Sequence, residues 1–140
     1  MADIKDALKD IRAGRFEAIS IERHRKALES KRLIGEQSLE PHGKHPQADR
    51  LSELTAEIDE VDKKLQKHTK NLLTQEKKLL DIINRIERSD YRQILYLRYL
   101  EDTPLSWMQI ADIMDYSESD IKRKHGKALA EARKLWGKGG

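Results

Sequence analysis

The chain has 140 residues, of which 37% are hydrophobic and 38% charged, so it has a small apolar fraction and a large solvated surface. It contains no cysteine, which excludes disulfides and thiolate metal sites. No apolar run approaches the length of a membrane span or signal-peptide core, so we expect a soluble cytoplasmic protein that does not bind a membrane. The net charge of +3 is too small to establish a polyanionic partner.

Residues 1–34 form a predicted N-terminal helix. Ile4, Leu8 and Ile11 begin an apolar stripe at helical spacing, and Gly14 interrupts it. Residues 35–47 contain two prolines and two glycines, which predicts a loop. His42 and His45 lie in this loop, but no carboxylate is placed to complete a metal site, and we expect none.

Residues 48–88 form a predicted long heptad helix. Two apolar series alternate at spacings of three and four, which is typical of a left-handed coiled coil. Such a stripe needs a partner, either the N-terminal helix folded back or the same helix of a second subunit. His68 and Gln75 occupy stripe positions, where we expect them to fix register. The proposed oligomerisation residues are Leu51, Leu54, Ile58, Val61, Leu65, Leu72, Leu79 and Ile82.

Residues 89–136 form a predicted helix-turn-helix domain, followed by a flexible tail at 137–140. Six of the seven aromatic residues lie in this third of the chain, so we expect the globular core here and an elongated remainder. Ser106 and Gln109 form a capping box, and Ser117 and Asp120 repeat the pattern eleven residues later. Asp115 lies between a short first helix and a second, basic helix, where the chain must turn. The fold class is therefore all-α, a helical hairpin or coiled coil followed by a helix-turn-helix.

The second helix of this pair has the basic character of a DNA-recognition helix. Residues 116–140 carry a net charge of +4, whereas 89–115 carry −3. Six residues are predicted to form the core: Leu95, Tyr99, Ile110, Ile113, Ile121 and Leu129. His125 is placed with the basic side chains that surround this helix. The residues of this segment that are predicted to contact DNA are Ser117, Ser119, Lys122, Arg123, Lys124 and Lys127.

Residues 91–135 resemble region 4 of bacterial sigma factors. The resemblance begins with Arg92, Leu95, Leu97, Arg98 and Tyr99, which form a version of that family's run of arginines, leucines and an aromatic residue. It continues through SWMQIADIMDYS and IKRKHGKALAEARKL, which correspond to the family's helix-turn-helix. The whole layout also resembles phage late-operon transcription regulators of the ArpU and RinA type. These resemblances imply a phage or prophage regulator that binds duplex DNA.

The first turn of the recognition helix departs from the sigma pattern. Glu118 and Asp120 stand where sigma factors present basic and polar residues, and carboxylates repel a phosphate backbone. The alternative function is therefore a protein-interaction module that modulates RNA polymerase, a sigma factor or a repressor. A homo-oligomer, with a dimer favoured, fits both functions. A small packaging-terminase subunit is a further alternative.

No glycine-rich phosphate loop is present and no histidine has an evident nucleophile beside it, so we expect neither an enzyme nor a cofactor.

Overall fold

The computed structural model describes residues 3–37 and 46–139. Within these ranges the chain is all-α and has no strand, which confirms the predicted fold class. The elements are α1 (Ile4–Gln37), α2 (Pro46–Asn84), α3 (Ser89–Leu95), a π-helical turn (Tyr96–Leu100), α4 (Trp107–Met114) and α5 (Glu118–Gly139).

The helix boundaries differ from the predicted ones at several places, including the start of α2, which begins at Pro46 and not at 48. Helix α1 passes through Gly14 without a break and ends at Gln37, three residues beyond the predicted end. Helix α2 ends at Asn84, before the predicted boundary at 88. Helix α5 continues to Gly139, so the residues 137–139 that were assigned to a flexible tail are helical. Sequence patterns locate such ends poorly because helix termini depend on local capping and packing.

The chain divides into two compact units, and each long helix contributes to both. The helix-turn-helix unit contains residues 1–16 and 71–140, and the hairpin unit contains residues 17–70. This division differs from the predicted one, which placed the N-terminal helix and the whole heptad helix outside the C-terminal domain.

The main core of the helix-turn-helix unit combines the start of α1, the end of α2, α3, the π-helical turn and α5. Ile4, Leu8 and Ile11 of α1 are at most 1% exposed. They pack with the buried side chains Leu79, Ile82, Ile83, Ile86, Tyr91, Leu95, Tyr99, Leu100, Ala128, Leu129 and Ala132. The expectation that the core lies in the C-terminal third is therefore wrong, because aliphatic residues of both long helices, together with Ile86 just after α2, supply half of it.

In the hairpin unit α1 and α2 run antiparallel. Leu28 packs against Leu54 and Ile58, while Arg25, three residues earlier, pairs with Asp62. Helix α1 therefore covers this part of the heptad stripe within one chain. Of the eight proposed oligomerisation residues, Leu54, Ile58, Leu79 and Ile82 are buried in the single chain, and the other four are partly buried. Gln75 is exposed and His68 is half-buried.

Within the described ranges, we find no helix whose length and apolarity would let it span a bilayer.

Candidate nucleic-acid interface

Helix α4 begins at the predicted capping box. The Gln109 backbone N–H donates to Ser106 Oγ at 3.2 Å, and the Ser106 N–H donates to Gln109 Oε1 at 2.9 Å. Two backbone donors that have no intrahelical partner are thereby satisfied. The capping box therefore fixes where the first helix of the motif starts.

The turn between α4 and α5 depends on Asp115. Its φ of 59° and ψ of 46° place it in the left-handed region, which aspartate tolerates better than most residues. Ser117 Oγ then accepts the backbone N–H of Asp120 at 3.1 Å and caps α5. The predicted turn and second helix start are both confirmed.

A small apolar cluster holds α4 against α5. Ile94, Ile110, Ala111 and Ile121 are buried, and Trp107 and Met114 pack against them. Ile113 was predicted to join this core, but it is 58% exposed. At about 100° per residue, Ile113 lies roughly 110° from the centre of the buried stripe of α4. The prediction was wrong because it counted an apolar residue without placing it on the helix face.

Five of the six predicted DNA-contact residues are exposed: Ser117, just before α5, Ser119, Lys122 and Arg123 in its first two turns, and Lys127 further along the helix. Lys122 pairs with Glu118 at 3.3 Å, and Arg123 pairs with Asp120 at 3.4 Å. Lys127 forms no ion pair with any residue that the structure describes. Exposed ion pairs are worth at most about 1 kcal/mol, so a phosphate can compete for these cations at small cost. The two carboxylates thus lower the local positive charge and leave the basic side chains accessible.

Lys124, the sixth predicted contact residue, is held inside the unit. Its side chain is 15% exposed, its Nζ lies 3.1 Å from Asp90 Oδ2, and its ammonium lies 4.9 Å from the centre of the Tyr116 ring. Arg88 also binds Asp90, at 2.8 Å. Burial alone would raise the pKa of Asp90, but the hydrogen bonds from Lys124 and Arg88 outweigh it and lower that pKa. Lys124 therefore ties α5 to the start of α3, and DNA contact would require breaking this pair.

His125 lies in the core and does not belong to the basic surface with which the sequence grouped it. Its Nε2 is 2.7 Å from the Tyr99 hydroxyl, and Trp107 packs edge-on at 4.6 Å between ring centres. Burial, and secondarily the charges of Arg98 and Lys5, lower its pKa to about 4. Its place in the stripe Ile121, His125, Ala128, Leu129 and Ala132 was a sequence signal that this position faces inward.

Arg98 fixes the loop that leads into α4. Arg98 lies within the π-helical turn, in which the Glu101 N–H donates to the Tyr96 carbonyl at 2.9 Å. Arg98 Nη1 donates to the Leu105 carbonyl at 3.1 Å, and its guanidinium lies 3.9 Å from the centre of the Trp107 ring. Arg98 therefore positions α4, although the sequence indicated it only as part of the resemblance to sigma region 4.

No group of three His, Asp or Glu side chains suited to a metal ion occurs among residues 3–37 and 46–139. His42 and His45 lie outside the described residues.

A short helix, a tight turn and a longer second helix with exposed cations near its start define a helix-turn-helix module of the class that docks in a major groove. Residues 89–134 match the family model described as sigma-70, region 4, which covers about a third of the chain. This part of the chain is therefore sigma-region-4-like, as the sequence predicted. Comparison with curated proteins gave no match. Comparison with solved structures gave none either.

Proposed function

We propose that this chain is a non-enzymatic transcription regulator that binds duplex DNA through α5. The observation that carries the proposal is the exposed row of Lys122, Arg123 and Lys127 on the helix that follows the turn. The match to sigma-70 region 4 supports the same function. The proposed phage or prophage origin rests on the sequence resemblance to ArpU-type and RinA-type regulators, and the regulator would act in the cytoplasm of a bacterial host.

Arg123 is the proposed base-reading residue. A guanidinium can grip guanine through two hydrogen bonds, whereas a lysine acts mainly as a point charge. Its pair with Asp120 is exposed and long at 3.4 Å, so little energy opposes its release toward a base. Lys127, further along α5, is the proposed phosphate contact.

Selection of duplexes from a random pool, followed by binding titrations on the selected site, tests this assignment. Arg123→Ala should cost about 1–3 kcal/mol on the selected site and relax the preference at one base pair. Lys77→Ala is a matched control, because Lys77 is exposed on α2, outside the motif. Equal losses in both variants, or unchanged affinity in Arg123→Ala, would contradict the assignment.

A protein-binding function is the second candidate, and two observations favour it. Glu118 and Asp120 neutralise the neighbouring cations, and Met108, Ile113 and Tyr116 leave apolar surface exposed on α4 and the turn. Under this alternative the partner is RNA polymerase, a sigma factor or a repressor. If Arg123→Ala abolished capture of such a protein while DNA affinity stayed the same, this alternative would be favoured.

Self-association through the hairpin unit is part of the proposal. Leu33 and Ile34, near the end of α1, are 49% and 67% exposed, although most of the heptad stripe is covered within the chain. A dimer would place two recognition helices on half-sites about one helical turn apart or at multiples of it.

A further inference from the structure

The helix-turn-helix unit contains an open cleft beside the start of α1, with a volume of about 620 Å³. We call it the α1 cleft. Its nine lining residues include four cations, Lys5, Lys9, Arg12 and Arg98, and no carboxylate. Phe16 and Trp107 are among the remaining lining residues. The volume falls within the range of about 300–1,000 Å³ that is usual for small-molecule sites.

The cations of α1 form one row along the helix. Lys5, Lys9, Arg12 and Phe16 recur at spacings of four, three and four, which places them on a single face. Each of the three cations follows directly after a buried residue of the stripe Ile4, Leu8 and Ile11. Packing of that stripe into the core therefore fixes the direction of the basic row beside it.

None of the four lining cations forms an ion pair with a residue in the described ranges. Arg15, about one turn after Arg12, differs from them because it pairs with Glu76 and Asp102. Two of the four are nevertheless held in place. Arg12 Nε donates to the Arg98 carbonyl at 3.2 Å, and the Arg98 guanidinium is fixed by Leu105 and Trp107. The cleft therefore offers positioned positive charge without an internal counterion.

The local electrostatics agree with this geometry. Burial lowers the pKa of Arg98, and the charge of Arg12 lowers it further. Burial likewise lowers the pKa of His125 to about 4, with smaller effects from Arg98 and Lys5. Like charges gathered in a partly desolvated site repel each other, and a bound anion would relieve that repulsion.

Arg123 and Lys127 lie on a different side of α5 from the cleft, whereas Lys122, three residues before His125, lies about 60° from it. His125 lines the cleft and is separated from both Arg123 and Lys127 by two residues, or about 200° of helix rotation. A duplex held by Arg123 and Lys127 would therefore leave the cleft open.

We propose that the α1 cleft binds a small ligand with two or more phosphate groups, held by Lys5, Lys9, Arg12 and Arg98. Nucleoside polyphosphates and inorganic polyphosphates share this chemistry. Phe16 also lines the cleft and is 39% exposed, with the Arg12 guanidinium 5.0 Å from its ring centre, and a base can stack on its exposed surface. Because His125 and Trp107 belong to α5 and α4, the ligand would contact the helix-turn-helix itself.

The test titrates the full chain with tripolyphosphate, ATP and adenosine in a buffer that contains EDTA, using calorimetry. In a Trp136→Phe background Trp107 is the single tryptophan and its fluorescence reports on the cleft. Tripolyphosphate and ATP should bind, with affinity that falls as salt rises, and adenosine should not. Equal affinity for tripolyphosphate and ATP assigns the site to phosphates alone, and tighter ATP binding assigns it to a nucleotide.

Lys9→Glu is the decisive variant, because Lys9 is exposed and forms no ion pair with the described residues. It should weaken tripolyphosphate binding about tenfold or more. Lys78→Glu makes the same charge change at an exposed position of α2 and should leave the affinity unchanged. The proposal is overturned if the wild-type chain binds neither phosphate ligand at millimolar concentration, or if both variants lose affinity equally. It is also overturned if Lys9→Glu weakens duplex binding but not tripolyphosphate binding.

Discussion

Acid should destabilise the helix-turn-helix unit through His125. Its side chain is buried against Tyr99 and Trp107, while Arg98 and Lys5 add positive charge nearby. The pKa falls from the ordinary 6.5 to about 4 in the folded chain. Between these two values the unfolded state binds the proton more readily than the folded state, so stability is lost as the pH falls from about 6.5 toward 4.

The size of the loss follows from the shift. A fall from 6.5 to about 4 corresponds to roughly 3 kcal/mol at about 1.4 kcal/mol per unit. That is a large part of the total stability of about 5–15 kcal/mol that is typical of a small domain. Asp90 adds to acid sensitivity only below its ordinary value of 3.8, because its pKa is lowered.

Urea unfolding at several pH values, followed by Trp107 fluorescence in the Trp136→Phe background, measures this effect. The double variant Tyr99→Phe with His125→Phe removes both hydrogen-bonding partners, so it should be close to neutral at pH 7. The wild-type chain should then lose about 3 kcal/mol more than the double variant between pH 6.5 and 4. Equal losses in the two chains would refute the assignment of this pH dependence to His125.

Two further predictions concern the architecture. Residues 89–140 expressed alone should not form a stable domain, because seven buried aliphatic side chains of α1, α2 and the turn that follows α2 are removed. At about 1.5–3 kcal/mol each, their loss is as large as or larger than the total stability of a typical small domain. Cooperative unfolding of this fragment in circular dichroism would contradict the shared core. Ile34→Lys should shift the full chain toward monomer in sedimentation, and a mass unchanged from wild type would exclude the end of the hairpin unit as the self-association surface.

The local features of the motif could be predicted from the sequence. Ser106 with Gln109, Ser117 with Asp120, and the turn at Asp115 depend on interactions over a few residues, and the structure contains all three. The heptad pattern likewise predicts the long helix, because its period repeats over many turns.

Features that depend on distant contacts could not be predicted. The stripe of Ile4, Leu8 and Ile11 showed that α1 buries one face, but not which core it joins. Lys124 looked like any exposed lysine because its partner, Asp90, lies 34 residues earlier. The row Lys5, Lys9 and Arg12 becomes a candidate site only when Arg98 is brought to the same cleft.

The central claim is that exposed cations of α5 bind the phosphate backbone of duplex DNA. Its most direct test is the salt dependence of binding to a labelled duplex, measured by fluorescence anisotropy for the wild-type chain, Lys127→Ala and the control Lys77→Ala. We predict binding at about 50 mM salt, a slope of log affinity against log salt that Lys127→Ala reduces by about one, and no change in the control. Absence of binding at about 50 mM salt, or the same slope in all three chains, would contradict the claim.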